Sequence, residues 1–126
     1  MAYLMIAQGQ VENPKLAGWY NVGPDESDCV TTGKLADLFV HQWGEGANWV
    51  NQSENNAPHE ANFLKLDCSK IKSRFSWKPT WHIEEAIRET VAWSRIWRNN
   101  GDIPAEMDLE IERFISDEYA KEGAII

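Results

Sequence analysis

The chain has 126 residues, of which 43% are hydrophobic and 25% are charged, and its formal net charge is -8. This length and composition suit a soluble chain that forms one domain, residues 1–126, around a hydrophobic core. The acidic balance argues against nucleic acid or an anionic membrane as a partner, because phosphate groups are bound mainly by Lys and Arg.

The first part of the chain predicts one short helix, one loop and one strand. The apolar residues 2–8 predict a short helix, and glycine, asparagine and proline within residues 9–18 predict a loop. Residues 19–23 (WYNVG) have the aromatic and β-branched content of a strand, and the GPDESD run after them predicts a turn.

The middle of the chain predicts one helix and two weaker strands. Thr31 and Thr32 are candidate N-caps for a helix over residues 33–43, whose apolar side chains share one face. Residues 47–51 (ANWVN) predict a short strand, and residues 62–67 (NFLKLD) alternate weakly, as an edge strand does.

The second half of the chain predicts three helices. Ser69 would cap a short helix that ends near Phe75, and longer helices are predicted over residues 82–98 and 104–121. The helix at 82–98 has one stripe of side chains at helical spacing, made of Ile83, Ala86, Ile87, Thr90, Trp93, Ser94 and Trp97. These elements predict an α+β fold that is mostly helical, with a few short strands.

Tryptophan is unusually frequent, with seven residues in 126. Four of them lie within 21 positions: Trp77, Trp81, Trp93 and Trp97. Such a cluster could form part of the core, a partner surface or a stacking platform, because each indole combines a large apolar area with one N–H donor. Core packing is the interpretation that we favour.

Features that would direct the chain to a membrane or stabilise it by cross-links are missing from the sequence. No apolar run approaches the roughly 18 residues of a transmembrane helix, and no signal peptide pattern is present. We therefore expect a cytoplasmic protein. Cys29 and Cys68 imply neither a disulfide framework nor a zinc site, so both thiols are expected to be reduced and structural.

Catalytic motifs are equally absent. The eight glycines do not form the glycine-rich turn that holds a dinucleotide, and no tyrosine has a lysine four residues further on. No serine has the GxSxG context, and the pairs Glu84-Glu85 and Asp117-Glu118 point about 100° apart on a helix. The sequence therefore assigns no catalytic residue and no metal ligand.

His59 and Glu60 are the candidate ligand-binding residues. Their loop follows Pro58 and precedes a predicted strand, which is a suitable place for side chains that bind a ligand hydroxyl group. The alternative is an exposed loop with a capping carboxylate. From the residues alone we favour this alternative.

Five segments give the chain a resemblance to a known family. They are YNVGP at 20–24, WGEGANW at 43–49, PHEANFLKLDCSKIK at 58–72, W-x-P at 77–79 and EEAIRETVAW at 84–93. In these segments the chain resembles the C-terminal part of the extended short-chain dehydrogenases/reductases, and within them the dehydratases of nucleotide-sugars. The likeness covers nearly the whole chain, and the 58–72 segment is its most specific part.

The resemblance implies an enzyme of two lobes. An N-terminal Rossmann lobe would hold NAD and a Tyr-Lys pair, and a smaller C-terminal lobe, matched by this chain, would bind the nucleotide-sugar. The reaction would oxidise C4 of the glucose, remove water across C5 and C6, and return a hydride to C6. Glu60 matches a position where related dehydratases bind ribose hydroxyls, with His59 beside it, and the partner would be a CDP-sugar.

Two further expectations follow from the resemblance. The family usually has Leu-Gly-Trp where this chain has Phe75-Ser76-Trp77, so a left-handed helix end at Ser76 would cost about 1 kcal/mol. Without NAD-binding residues, we expect the chain alone to be catalytically inert and to bind a CDP-sugar weakly at most. The alternative is an interaction module in which residues 2–8 and Trp19 contact a Rossmann lobe or form a homodimer.

Overall fold

The computed structural model describes residues 1–52 and 65–123, and this part of the chain is mostly helical. Its α-helices are α1 (Ala2–Glu12), α2 (Thr32–Trp43), α3 (Ser69–Phe75), α4 (Ile83–Arg98) and α5 (Ile103–Gly123). Short 3₁₀ helices lie at Pro14–Leu16 and Glu26–Asp28. The described residues form two compact units, of which the first contains 1–29 and 65–79 and the second 30–52 and 80–123. The prediction of one domain stays a prediction.

The few short strands of the predicted α+β fold are not seen in the described residues. Residues 19–23, residues 47–51 and the described end of the 62–67 segment form no ladder. Side chains occupy backbone groups that a neighbouring strand would use: Lys70 Nζ donates to the Trp19 carbonyl at 2.9 Å, and Asn21 Nδ2 donates to the Asp67 carbonyl at 3.1 Å. A strand needs a paired neighbour, and local composition does not supply one.

The first unit packs around α3. Gly9, which the sequence placed in a loop, lies inside α1, and an added Cβ would lie 2.6 Å from a ring carbon of Phe75. The Phe75 ring meets the Tyr20 ring edge to face, with centroids 5.1 Å apart. Ile71 is fully buried, and Cys68, three positions earlier in the sequence, is also buried. Gly9 therefore allows a close approach of Phe75 that outweighs its poor helix propensity.

The end of α3 confirms the expectation for Ser76. Ser76 follows the last helical residue and has φ 52° and ψ 24°, which is the left-handed region. A Cβ is strained in this conformation because it approaches the carbonyl oxygen. Glycine would adopt the same backbone without that strain.

Replacing Ser76 with glycine should therefore stabilise the chain. We expect the free energy of unfolding to rise by about 1 kcal/mol, measured by urea denaturation followed by circular dichroism. Asn100 has φ 53° and is the matched control, since asparagine tolerates this region and Asn100→Gly should change the free energy by a few tenths of a kcal/mol. An unchanged or lower stability of Ser76→Gly would contradict the strain argument.

In the second unit, α4 packs against both α2 and α5. Thr31 is the N-cap of α2, as predicted, and its hydroxyl accepts from the backbone N–H of Lys34 at 3.2 Å. The Nε1 of Trp81 donates to Asp117 at 2.9 Å, and the Trp81 ring packs edge to face on Phe114. None of the described helices combines the length and apolar character that crossing a bilayer requires.

The buried acidic residue Glu89 joins α4 to α5. Its carboxylate is 5% exposed and lies 2.8 Å from the Arg113 guanidinium, which also lies 2.8 Å from Glu106. Arg88 contacts the same carboxylate at 3.1 Å. The pKa of Arg113 is raised mainly by its hydrogen bond to Glu106, and to a smaller extent by its hydrogen bond to Glu89. Glu89 is therefore buried as one member of an ion network.

The prediction that the tryptophan cluster packs in the core is wrong for Trp97. Trp93 and Trp97 are stacked with ring centroids 6.5 Å apart, but Trp97 is 65% exposed. Stacking on a neighbour one turn away covers only one face of the indole. The cluster thus contributes packing contacts at Trp81 and an exposed surface at Trp97.

Candidate functional site

The candidate ligand-binding residues His59 and Glu60 lie outside the described residues, so their role stays a prediction. The described part of the same 58–72 segment is residues 65–72. These residues belong to the first unit and lead into α3. Their contacts show how the chain is held from Lys65 onward.

Residues 65–72 contact the YNVGP segment at 20–24. Asn21 reaches the Asp67 carbonyl, and an added Cβ on Gly23 would lie 3.3 Å from Leu66 and 3.5 Å from the Cys68 sulfur. Two segments that carry the family resemblance are therefore adjacent in space, although 45 positions separate Gly23 from Cys68. Gly23 gives the Leu66 and Cys68 side chains room to pack on the backbone.

Two lysines of this region are paired with acidic side chains. Lys65 Nζ lies 2.7 Å from Glu26 Oε1, and Lys72 bonds Asp25. The hydrogen bond from Lys65 lowers the pKa of Glu26, and the same bond raises the pKa of Lys65. Because the pKa of Glu26 is lower in the folded chain than in the unfolded chain, this hydrogen bond stabilises the fold at pH values above the unfolded pKa of Glu26. The stabilisation is lost as the pH falls through the folded pKa of Glu26.

Asp67 has a structural role at the start of α3. Its Oδ1 accepts from the Ser69 backbone N–H at 2.9 Å, and hydrogen bonds from the Ser69 side chain and backbone lower the pKa of Asp67. The prediction that Ser69 caps α3 is therefore wrong, since α3 begins at Ser69 and Cys68 is its N-cap residue. An Asp two residues before a helix start is the signal that sequence analysis missed.

The WGEGANW segment at 43–49 belongs to the second unit. Gly44, Glu45 and Gly46 have positive φ angles of 66°, 55° and 71°, and this run turns the chain back after α2. Trp49 Nε1 then donates to Asp37 Oδ1 at 3.0 Å, and its ring lies against Gly33. The turn thus places an indole over the first half of α2.

Trp43 at the end of α2 is held by two arginines of α4. The guanidinium carbons of Arg95 and Arg98 each lie 5.6 Å from the centroid of the Trp43 ring. Arg95 also donates to the Trp43 carbonyl, and Trp43 stacks on Phe39 at 5.8 Å. These contacts fix the orientation of the Trp43 ring.

A groove of about 770 Å³ lies between α2 and α4, and we call it the α2–α4 groove. It is lined by Thr32, Leu35, Ala36, Phe39, Val40, Trp43, Ala47, Asn48, Trp49, Ile87 and Thr90. No lining residue is charged. The stripe predicted on α4 supplies Ile87 and Thr90, but the sequence did not indicate that this part of the stripe would face an open groove.

A second, polar cleft of about 510 Å³ lies along α2 and the first turn of α4. Its lining combines charged and polar side chains with two apolar residues: Lys34, Asp37, His41, Gln42, Glu84, Leu38 and Ile87. The four polar residues contributed by α2 are exposed to solvent. This cleft thus has the character of a solvated helix surface.

Comparison with known proteins gives one relative with broad coverage of the chain. No family model matches the chain. A curated CDP-glucose 4,6-dehydratase from Salmonella typhimurium is 35% identical over 115 residues, which cover 90% of this chain and 32% of that protein. This chain therefore spans about a third of the length of its curated relative. The resemblance predicted from the five segments is confirmed, and the chain is a homologue of part of a CDP-glucose 4,6-dehydratase.

Proposed function

We propose that the chain is the substrate-binding lobe of a nucleotide-sugar 4,6-dehydratase whose substrate is a CDP-sugar. The single observation that carries this proposal is the 35% identity to a CDP-glucose 4,6-dehydratase over 90% of the chain. The contact between residues 20–24 and 65–72 supports it, because two of the resembling segments pack together. NAD would supply the hydride chemistry of such an enzyme.

The residues of this chain do not fit NAD. The sequence has no glycine-rich turn and no Tyr-Lys pair, and no described helix follows a β-strand, as a dinucleotide-binding helix does. The chain therefore has no catalytic residue in the proposal, and it would be inert alone.

Glu60 would bind the ribose of the nucleotide, with His59 beside it. A carboxylate suits this task because its oxygens can accept hydrogen bonds from both hydroxyls of a vicinal diol. The residues that follow are well held, since Lys65 is paired with Glu26 and Ile71 is fully buried. The first unit thus anchors the chain from Lys65 onward, five positions after Glu60 in the sequence.

NMR titration of the labelled chain with CDP-glucose, CDP and UDP tests this role. We expect the amide signals of His59 and Glu60 to shift with CDP-glucose and CDP, with weak affinity because only one lobe is present. Glu60→Gln should reduce the shifts, because one carboxylate oxygen becomes an NH₂ donor. The matched control Glu112→Gln changes an exposed helix residue and should leave them unchanged. If none of the three nucleotides shifts His59 or Glu60, the binding role is refuted.

The second proposed function is an interaction module, and one specific observation favours it. Tyr3, Leu4 and Val11 on α1 are 76%, 71% and 84% exposed, and Trp19 is 92% exposed. With Ala7, the three α1 residues lie on one side of the helix, and we call this set the α1 stripe. Exposed apolar side chains that share one face favour a protein partner.

The interaction module predicts self-association of the purified chain. Burial of the α1 stripe in a contact between copies removes apolar surface from water, so the mass should rise with concentration. Light scattering coupled to size-exclusion chromatography measures this mass against the 14.4 kDa of one chain. A strict monomer at all concentrations would refute the module.

A further inference from the structure

We propose that the α1 stripe of one copy binds in the α2–α4 groove of a second copy, so that copies associate head to tail. The inference rests on the second proposed function, since it specifies the partner of the interaction module. It names two different surfaces of one chain as complementary partners. Binding of a helix in an apolar groove is a common mode of protein recognition.

The charge distribution favours this contact. The chain carries a net charge of -8, so two copies repel each other when their acidic surfaces approach. No residue of α1 from Ala2 to Val11 is charged, and no residue that lines the α2–α4 groove is charged. Contact between these two faces therefore brings together no charged residues of the groove lining or of the stripe. It also keeps the acidic residues of α5 outside the contact itself.

The dimensions of the two faces also agree. An α-helix rises about 1.5 Å per residue, so the stripe extends about 12 Å from Tyr3 to Val11, and the α2 wall of the groove extends about 16 Å from Thr32 to Trp43. Ala7 lies between the large side chains of the stripe, where a small residue lets the helix backbone approach a partner closely. A ridge of side chains can then enter the groove between α2 and α4.

The aromatic rim of the groove is already ordered. Trp49 is 40% exposed and is fixed by its hydrogen bond to Asp37, and Trp43 is fixed by Arg95 and Arg98. Aromatic side chains that are held before binding lose little conformational entropy when a partner arrives.

A head-to-tail contact and a symmetric contact lead to assemblies of different size. If two stripes met each other, the contact would be closed and the groove would stay open to water. If a stripe enters a groove, each pair still has one free stripe and one free groove, so further copies can add. We therefore expect masses above that of a dimer at high concentration.

Two variants that each lose one face provide the test. The stripe variant carries Leu4→Glu and Val11→Glu, and the groove variant carries Leu35→Glu, which changes a lining residue that is 38% exposed. Each variant alone should be monomeric in sedimentation equilibrium. An equimolar mixture should form a complex of twice the 14.4 kDa chain mass and no larger species, because one functional stripe meets one functional groove.

Controls separate this inference from the broader function. Circular dichroism must show wild-type helicity for each variant, and Thr90→Arg is a second groove variant if Leu35→Glu does not fold. Ile111→Glu changes an exposed residue of α5 and should leave association intact. A groove variant that associates like the wild type would overturn the inference and leave a stripe-to-stripe interaction module standing. A monomeric wild type would refute both.

Discussion

Replacing Arg113 with methionine should lower the free energy of unfolding by about 2 kcal/mol. The change leaves Glu89, which is 5% exposed, without its main partner and brings the carboxylates of Glu89 and Glu106 together without a shared cation. A buried charge that loses its partner costs several kcal/mol, and the value is reduced here because the Arg113 side chain is 40% exposed. Urea denaturation measures the loss.

Arg88→Met is the matched control for this network. Arg88 contacts the same carboxylate, but its side chain is 50% exposed and Arg113 remains in place. An exposed ion pair contributes little, so we expect a loss below about 1 kcal/mol. Equal losses for Arg88→Met and Arg113→Met would contradict the central position of Arg113.

Replacing Ile71 with alanine should lower the free energy of unfolding by about 3 kcal/mol. Ile71 is fully buried and lies on α3 between the residues that contact YNVGP and Phe75, so its removal creates a cavity in the first unit. The same urea experiment measures the change. Hydrogen exchange should show faster opening of α3, because the cavity is next to this helix.

Ile111→Ala removes the same atoms from an exposed position. Ile111 on α5 is 55% exposed, and we expect a change of at most about 0.5 kcal/mol. A similar loss in both variants would mean that α3 is not anchored by Ile71. The attachment proposed for the segment after Glu60 would then lose its support.

The helices were predictable because their determinants are local. Thr31 as an N-cap and the 3.6-residue period of residues 82–98 correspond to α2 and α4 as observed. The predicted helix at 104–121 corresponds to α5. The short helix predicted at 2–8 is longer in the structure because Gly9 continues it, and that choice depends on Phe75, which is 66 positions away in the sequence.

Neither the absence of strands nor the ion network was predictable, because both depend on partners that are distant in the sequence. A strand depends on a partner strand that may lie anywhere in the chain, and residues 19–23 instead bond to Lys70 and Asp67. Glu89 lies off the predicted apolar stripe, and nothing in its local sequence indicates burial. Its burial depends on ion pairs with Arg88 in the same helix and with Arg113 on α5.

The candidate site was predicted at the level of the family and not at the level of contacts. The segment at 58–72 correctly predicted the homology to a CDP-glucose 4,6-dehydratase. Its residues 65–72 gave no local signal that Lys65 and Lys72 pair with acids 39 and 47 positions away. The role of His59 and Glu60 stays a prediction that the nucleotide titration tests.

In the turn after α2, the residue type at Gly44 is restricted by the backbone angles and not by neighbouring atoms. Gly44 has φ 66° and ψ -146°, and an added Cβ would meet no atom within 4 Å. An L-residue is strained there by its own backbone. The mirror image of these angles is the extended conformation that L-residues favour, so the angles of Gly44 themselves are an ordinary preference of a D-residue. D-alanine introduced at Gly44 by peptide ligation should therefore fit without a clash. It would also restrict the unfolded chain, so this turn is a site where a mirror-image residue suits the protein better than any encoded side chain.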